Sequence, residues 1–169
     1  MVINKQRAFS LPELMVTLAV LLILTTITVP AMAAFIDFQR AQAYMRKFSQ
    51  HLAYARAAAA SSNLPVQLCP QQAGQCQNNW QQLPLHLSLF YPSDNSLKLL
   101  REIAPPTPQH QLIYNRDRVT FRRDGSLNAF ENGTFYYCGK AGSDWHFRLV
   151  LNQAGRNRLS HEKTACPAN

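Results

Sequence analysis

The sequence predicts an α+β protein in which one long N-terminal helix, half membrane-spanning and half amphipathic, packs against an antiparallel β-sheet head. The 23 residues from Leu14 to Ile36 carry no charge. An apolar stripe at helical spacing continues beyond them to Ala59. From Val66 onward the pattern changes to short period-two runs separated by turn residues. With 169 residues, 47% hydrophobic and 15% charged, the chain suits one modest domain with an appendage and is too apolar for a disordered polybasic tail. Ten prolines against six glycines exclude a collagenous or glycine-linker protein.

As a helix, the uncharged run spans roughly 35 Å, enough for a hydrocarbon core of about 30 Å. A secretory signal peptide is the rival reading. Lys5 and Arg7 form a basic leader, and Ala31-Met32-Ala33 looks like a small-residue cleavage site. The run is nevertheless longer than the roughly 7–15 residues of a signal-peptide core. Lys5 and Arg7 put the N-terminus in the cytoplasm, so that everything after Ile36 lies outside the inner membrane. Glu13 stands at the start of the apolar run, where an unpartnered carboxylate costs a few kcal/mol.

Phe38, Ala41, Met45, Phe48, Leu52, Ala55 and Ala59 continue the helix as one stripe, with Arg40, Arg46, Lys47 and Arg56 off it. Asn63 and Pro65 end it. The expected divisions are a leader over 1–8, a transmembrane helix over 9–36, an amphipathic helix over 37–62 and a β-rich head over 63–169. Strand-type runs follow at Val66–Leu68, Leu85–Leu89, Leu97–Leu99, Val119–Phe121, Thr134–Tyr137 and Trp145–Leu151. Asp124-Gly125, Asn132-Gly133, Gly142-Ser143 and Asn152 to Gly155 mark turns between them. A head this small gains from covalent staples, and an oxidising periplasm permits them. Four cysteines allow three pairings. The favoured one joins Cys69 to Cys76 around a six-residue loop and Cys138 to Cys166, tying the tail to a strand.

No nucleophile motif or phosphate-binding glycine loop is present, and the five histidines are scattered. There is no CxxC and no histidine at ligand spacing, so neither a metal nor a cofactor is expected. The chain reads as a non-enzyme. Its charge is more informative. The net +8 includes two charges in the leader, while residues 146–169 hold four bases against one acid. There a strand, Leu149–Leu151, enters a turn in which Gly155 can supply positive φ. If the chain is extended after it, Arg156 and Arg158 project from one face and Asn157 and Leu159 from the other. Two guanidiniums about 7 Å apart match successive phosphates of a nucleic-acid strand. The plainer reading is two solvated arginines guarding an edge strand against aggregation.

The segment Lys5-Gln6-Arg7-Ala8-Phe9-Ser10-Leu11-Pro12-Glu13 resembles the leader of type IV prepilins and type II secretion pseudopilins. The resemblance implies cleavage between Ala8 and Phe9 by a prepilin peptidase and methylation of the new Phe9 amine. It also implies that Glu13 pairs with a neighbouring subunit's N-terminal amine during assembly. Ala8 departs from the family's usual glycine, which bears on cleavage efficiency. Pro30 matches the mid-helix proline of pilins, tolerated where neighbouring helices and threonines satisfy the freed carbonyl. The head resembles the GspH/FimT family of minor pilins in its Phe121–Gly125 turn, closing strand and Gly-Arg turn. That implies a pilin-like fold, other pilins or pseudopilins as partners, and a place in an inner membrane and a pilus or pseudopilus.

In some FimT-type minor pilins of naturally transformable bacteria, a C-terminal GRxR motif binds extracellular DNA for uptake. By this resemblance Gly155, Arg156 and Arg158 bind double-stranded DNA, and Lys163 and Lys140 widen the patch. Such contacts grip backbone without reading sequence, so affinity is expected to be micromolar or weaker and steeply salt-dependent. The alternatives are a structural pseudopilin or pilus-priming subunit that does not bind DNA, and an adhesin acting alone in the membrane.

Overall fold

The computed structural model describes residues 10–167, so Ala8 and Phe9 lie outside the described residues. Two compact units divide after Gln39. Helix α1 (Leu11–Ser62) is continuous through Pro30. Its N-terminal residues, Glu13 in the first turn among them, are exposed, and by length and composition it can cross a membrane. The Thr25, Thr26 and Thr28 hydroxyls donate to carbonyls of Leu21 to Leu24. None of these bonds reaches the Thr26 carbonyl that Pro30 leaves without its helical donor, contrary to the expected role of the threonines.

Within the second unit, Ala41, Met45, Phe48, Leu52, Ala55 and Ala59 are buried, as the stripe requires; Phe38, in the first unit, is half-exposed. His51 joins the buried face, and both its ring nitrogens lack a hydrogen-bond partner among the described residues. Burial first, then nearby Arg101 and Lys47, push its pKa down, so it packs as a neutral imidazole. Asn63 closes the helix at φ 53°, a left-handed position Asn tolerates.

Among the described residues nine strands follow: β1 (Val66–Gln72), β2 (Gln75–Cys76), β3 (Leu85–Tyr91), β4 (Ser96–Ile103), β5 (Gln111–Ile113), β6 (Val119–Phe121), β7 (Gly133–Cys138), β8 (His146–Leu151) and β9 (Asn157–Glu162). One sheet runs β2-β1-β3-β4 with β6 also on β1; the other runs β5-β7-β8-β9, and all pairs are antiparallel. Strands β2 and β5 are additions to the expected set. Both are very short, so neither shows an alternation to read. The Phe48 ring meets Phe135 edge-on at 5.0 Å, and Tyr44 lies 5.0 Å from Tyr137. Phe135 in turn stacks on Tyr114 and meets Trp80. On the other sheet, the Arg101 guanidinium lies 3.8 Å above the Tyr54 ring. Both favoured disulfides, Cys69–Cys76 and Cys138–Cys166, are formed.

Candidate nucleic-acid interface

The hairpin β8–β9 pairs in unbroken register from Leu151↔Asn157 at the turn to His146↔Glu162 at the other end. Its turn is built by Asn152. That residue's carbonyl accepts from the Gly155 N–H, its side-chain oxygen accepts from the Arg156 N–H, and its own N–H donates to the Arg156 carbonyl. Gly155 is buried with φ +73°, and a Cβ there would collide with the Gly125 carbonyl oxygen. Gly125 itself has φ +77°, and its Cβ position lies 3.0 Å from Cγ of Arg56. Two glycine turns and the Arg56 stem therefore close on one another. Neither glycine tolerates a side chain without movement.

Gln153 fastens the same contact. Its amide donates to the Leu127 carbonyl at 2.6 Å, and the Leu127 N–H returns a bond to the Gln153 carbonyl. The Asp124 carboxylate accepts from the Ser126 hydroxyl and N–H. The hydroxyl bond, then the backbone one, lowers its pKa, so the carboxylate is engaged within its own turn.

Arg156 and Arg158 are exposed, while Asn157 and Leu159 are half-buried, as strand alternation requires. Asn157 accounts for the orientation. Its amide donates to the Ser49 carbonyl at 3.1 Å, and its Oδ1 lies 2.6 Å from the Ser49 hydroxyl. The residue between the arginines is thus anchored on α1. Register adds a cation that motif reasoning missed. Arg158 pairs with Val150, and Arg148 pairs with Ser160 on the same outward face, with Tyr136 beside it on β7. Arg148 and Arg158 are diagonal neighbours roughly 7–8 Å apart at the backbone. Counting back from the turn would have found Arg148.

Lys163 and Lys140 do not widen this patch. Lys163 lies beyond the far end of β9, about 17 Å along the strand from Arg158 at 3.3–3.4 Å per residue. Lys140 belongs to the turn after β7, near the Cys138–Cys166 bond, and Glu162 adds an opposing charge there. The disulfide that tethers the tail holds both lysines at the end of the hairpin away from the arginines. Arg56, Arg148, Arg156 and Arg158 have no ion-pair partner among the described residues, and neither do Lys140 and Lys163, so position and not neutralisation separates the two groups. Three further histidines also serve as packing and hydrogen-bonding groups. His110 bonds the Tyr137 hydroxyl, His146 bonds the Thr164 carbonyl, and His161 lies against Phe147.

The family model for the type II transport protein GspH matches residues 44–155, about two thirds of the chain. The chain belongs to the GspH family. A second model, the prokaryotic N-terminal methylation motif, matches residues 3–29. Among solved structures, the fold is similar to the type IV minor pilin FimU of Pseudomonas aeruginosa. There the TM-score is 0.61 and the identity 19%, over 78% of this chain and 99% of that one. It is also similar to the minor pseudopilin EpsH from the type 2 secretion system of Vibrio cholerae. That match has TM-score 0.54 and 14% identity, over 72% of this chain and 96% of the other. No curated protein matches by overall sequence.

This GspH-family chain shares its fold with a type IV minor pilin and with a type II secretion pseudopilin. The GspH match ends at Gly155, so Arg156 and Arg158 stand just beyond it.

Proposed function

We propose that this GspH-family subunit is a minor pilin of a type IV pilus that binds double-stranded extracellular DNA for uptake in natural transformation. The observation that carries the reading is the outward presentation of Arg156 and Arg158, without carboxylate partners, on a hairpin fastened to α1 through Asn157. Each guanidinium can grip a phosphate bidentately, and Arg148 extends the row. Fixing the hairpin in advance spares the ordering cost of a loose tail. Guanidinium contacts to phosphates hold the backbone and carry no sequence information, so the binding in this reading is non-sequence-specific.

In the same reading, residues 9–36 hold the subunit in the inner membrane with a periplasmic head before its incorporation and surface exposure. A prepilin peptidase cuts before Phe9, the new amine is methylated, and Glu13 pairs with a neighbouring pilin's amine. An amine beside Glu13 would offset the cost of a carboxylate in lipid.

The test is a salt-titrated binding measurement with a fluorescent DNA duplex and the full chain in non-ionic detergent. Arg156→Ala with Arg158→Ala should flatten the slope of log K against log salt by about 1.8, and weaken binding about sixtyfold at 0.1 M salt. Unaltered binding in that double variant removes the arginines from the mechanism. Absence of any DNA affinity at low salt returns the subunit to the structural role of a pseudopilin or pilus-priming subunit.

A further inference from the structure

A second cation faces the turn from a different element. Ala53, Arg56, Ala57 and Ala60 of α1, with Asp124, Gly125, Gly155, Arg156 and Asn157, line an open cleft of about 570 Å³. Its floor is the run of alanines, of which Ala53, Ala57 and Ala60 are exposed. Arg56 and Arg156 are its two cations, and Asp124 is its one carboxylate. Asp124 is engaged by Ser126 and lies outside ion-pair distance of both.

Arg56 is held there by its stem. Its Cγ and Nε lie 3.0 and 3.3 Å from the position a Gly125 Cβ would occupy, and its Cδ lies 3.4 Å from that of Gly155. The absence of both side chains makes the channel along which the arginine runs. This half-buried stem spends its conformational freedom on folding, so the guanidinium needs little further ordering to bind an anion. Two unpaired guanidiniums over small apolar residues suit a phosphodiester: the charges take the phosphate, and the alanines admit the sugar closely.

From this geometry we infer that the cleft is a phosphate seat for the DNA backbone, with Arg56 as a binding residue alongside Arg156. This rests on the DNA-binding reading and deepens it. The nucleic-acid path runs from Arg148 and Arg158 on the outer sheet face, past Arg156 at the turn, and onto α1 at Arg56. The site joins residues 100 positions apart in sequence through the contact of the two glycine turns.

The experiment compares Arg56→Met, which keeps a packing stem without charge, with Arg56→Lys, which keeps both. Both are read in the full chain in non-ionic detergent against a fluorescent duplex at several salt concentrations. Thermal melting is followed through Trp80 and Trp145, the two tryptophans of the chain and both in the head. Arg56→Met should flatten the salt slope by about 0.9 and weaken binding about eightfold at 0.1 M, while Arg56→Lys keeps the slope. Wild-type affinity and slope in Arg56→Met would overturn the inference. So would equal losses in both variants accompanied by equal falls in melting temperature, which would mean that Arg56 acts by packing. If Arg56→Met is silent while the Arg156/Arg158 double variant loses binding, the seat fails and the DNA reading stands. If the double variant is silent too, both fail.

Discussion

The two ends of the β8–β9 hairpin hold their basic residues in different settings. At the turn, Arg156 and Arg158 stand outward without an ion-pair partner among the described residues, backed by Arg148 across the register and by Arg56 from the helix. At the tail, Lys140 and Lys163 flank a disulfide, with Glu162 among them. The turn is held by close backbone approach, hydrogen bonds and an anchored asparagine; the tail is held by a covalent bond. Net charge does not separate these ends, because a local +3 hides where the charges go. What distinguishes an anion site is guanidiniums fixed in place and converging from separate elements.

The largest effect expected on this contrast is at the tail. Replacing Cys138 and Cys166 by Ala opens a loop closed across 28 residues of sequence, which costs about 3.5 kcal/mol of stability in the chain-entropy account. Denaturant unfolding followed by tryptophan fluorescence measures it. DNA affinity per folded molecule should stay at the wild-type level, because the turn does not depend on that bond. Gly155→Ala strikes the other end. Positive φ and collision with the Gly125 carbonyl should cost about 3 kcal/mol by the same measurement, with DNA binding falling as the two turns separate. A Gly155→Ala head of wild-type stability would break the packing role assigned here to this glycine.

The smallest effect is expected from Lys140→Ala with Lys163→Ala. Two exposed lysines at the far end should change duplex affinity by less than about twofold, against roughly sixtyfold for the arginine pair. The contrast between the ends thus becomes a ratio that a single titration series can read.

Much of the scaffold was legible in the chain. The stripe Ala41 to Ala59 showed the buried face of α1, and of the three pairings the cysteines allow, the favoured one is formed. His51 escaped because a histidine on an apolar face does not raise a hydropathy pattern. The arginine pair was visible as local alternation, and its orientation held because Asn157 anchors the strand. The lysines were misplaced for a geometric reason: nearness in sequence to the hairpin does not say which end they occupy, whereas the register does. In the sequence Arg56 reads only as a basic residue off the apolar stripe. Its place beside Gly155 depends on two turns meeting, a long-range contact that no periodicity encodes.

The most direct measurement is a side-by-side salt titration of duplex binding by the two double variants, one at each end, in the full chain in non-ionic detergent. The turn-end pair, Arg156→Ala with Arg158→Ala, should flatten the dependence of log K on log salt by about 1.8. The tail-end pair, Lys140→Ala with Lys163→Ala, should leave the wild-type slope in place. Equal flattening by the two pairs, or flattening by the lysine pair alone, would contradict a DNA site at the turn.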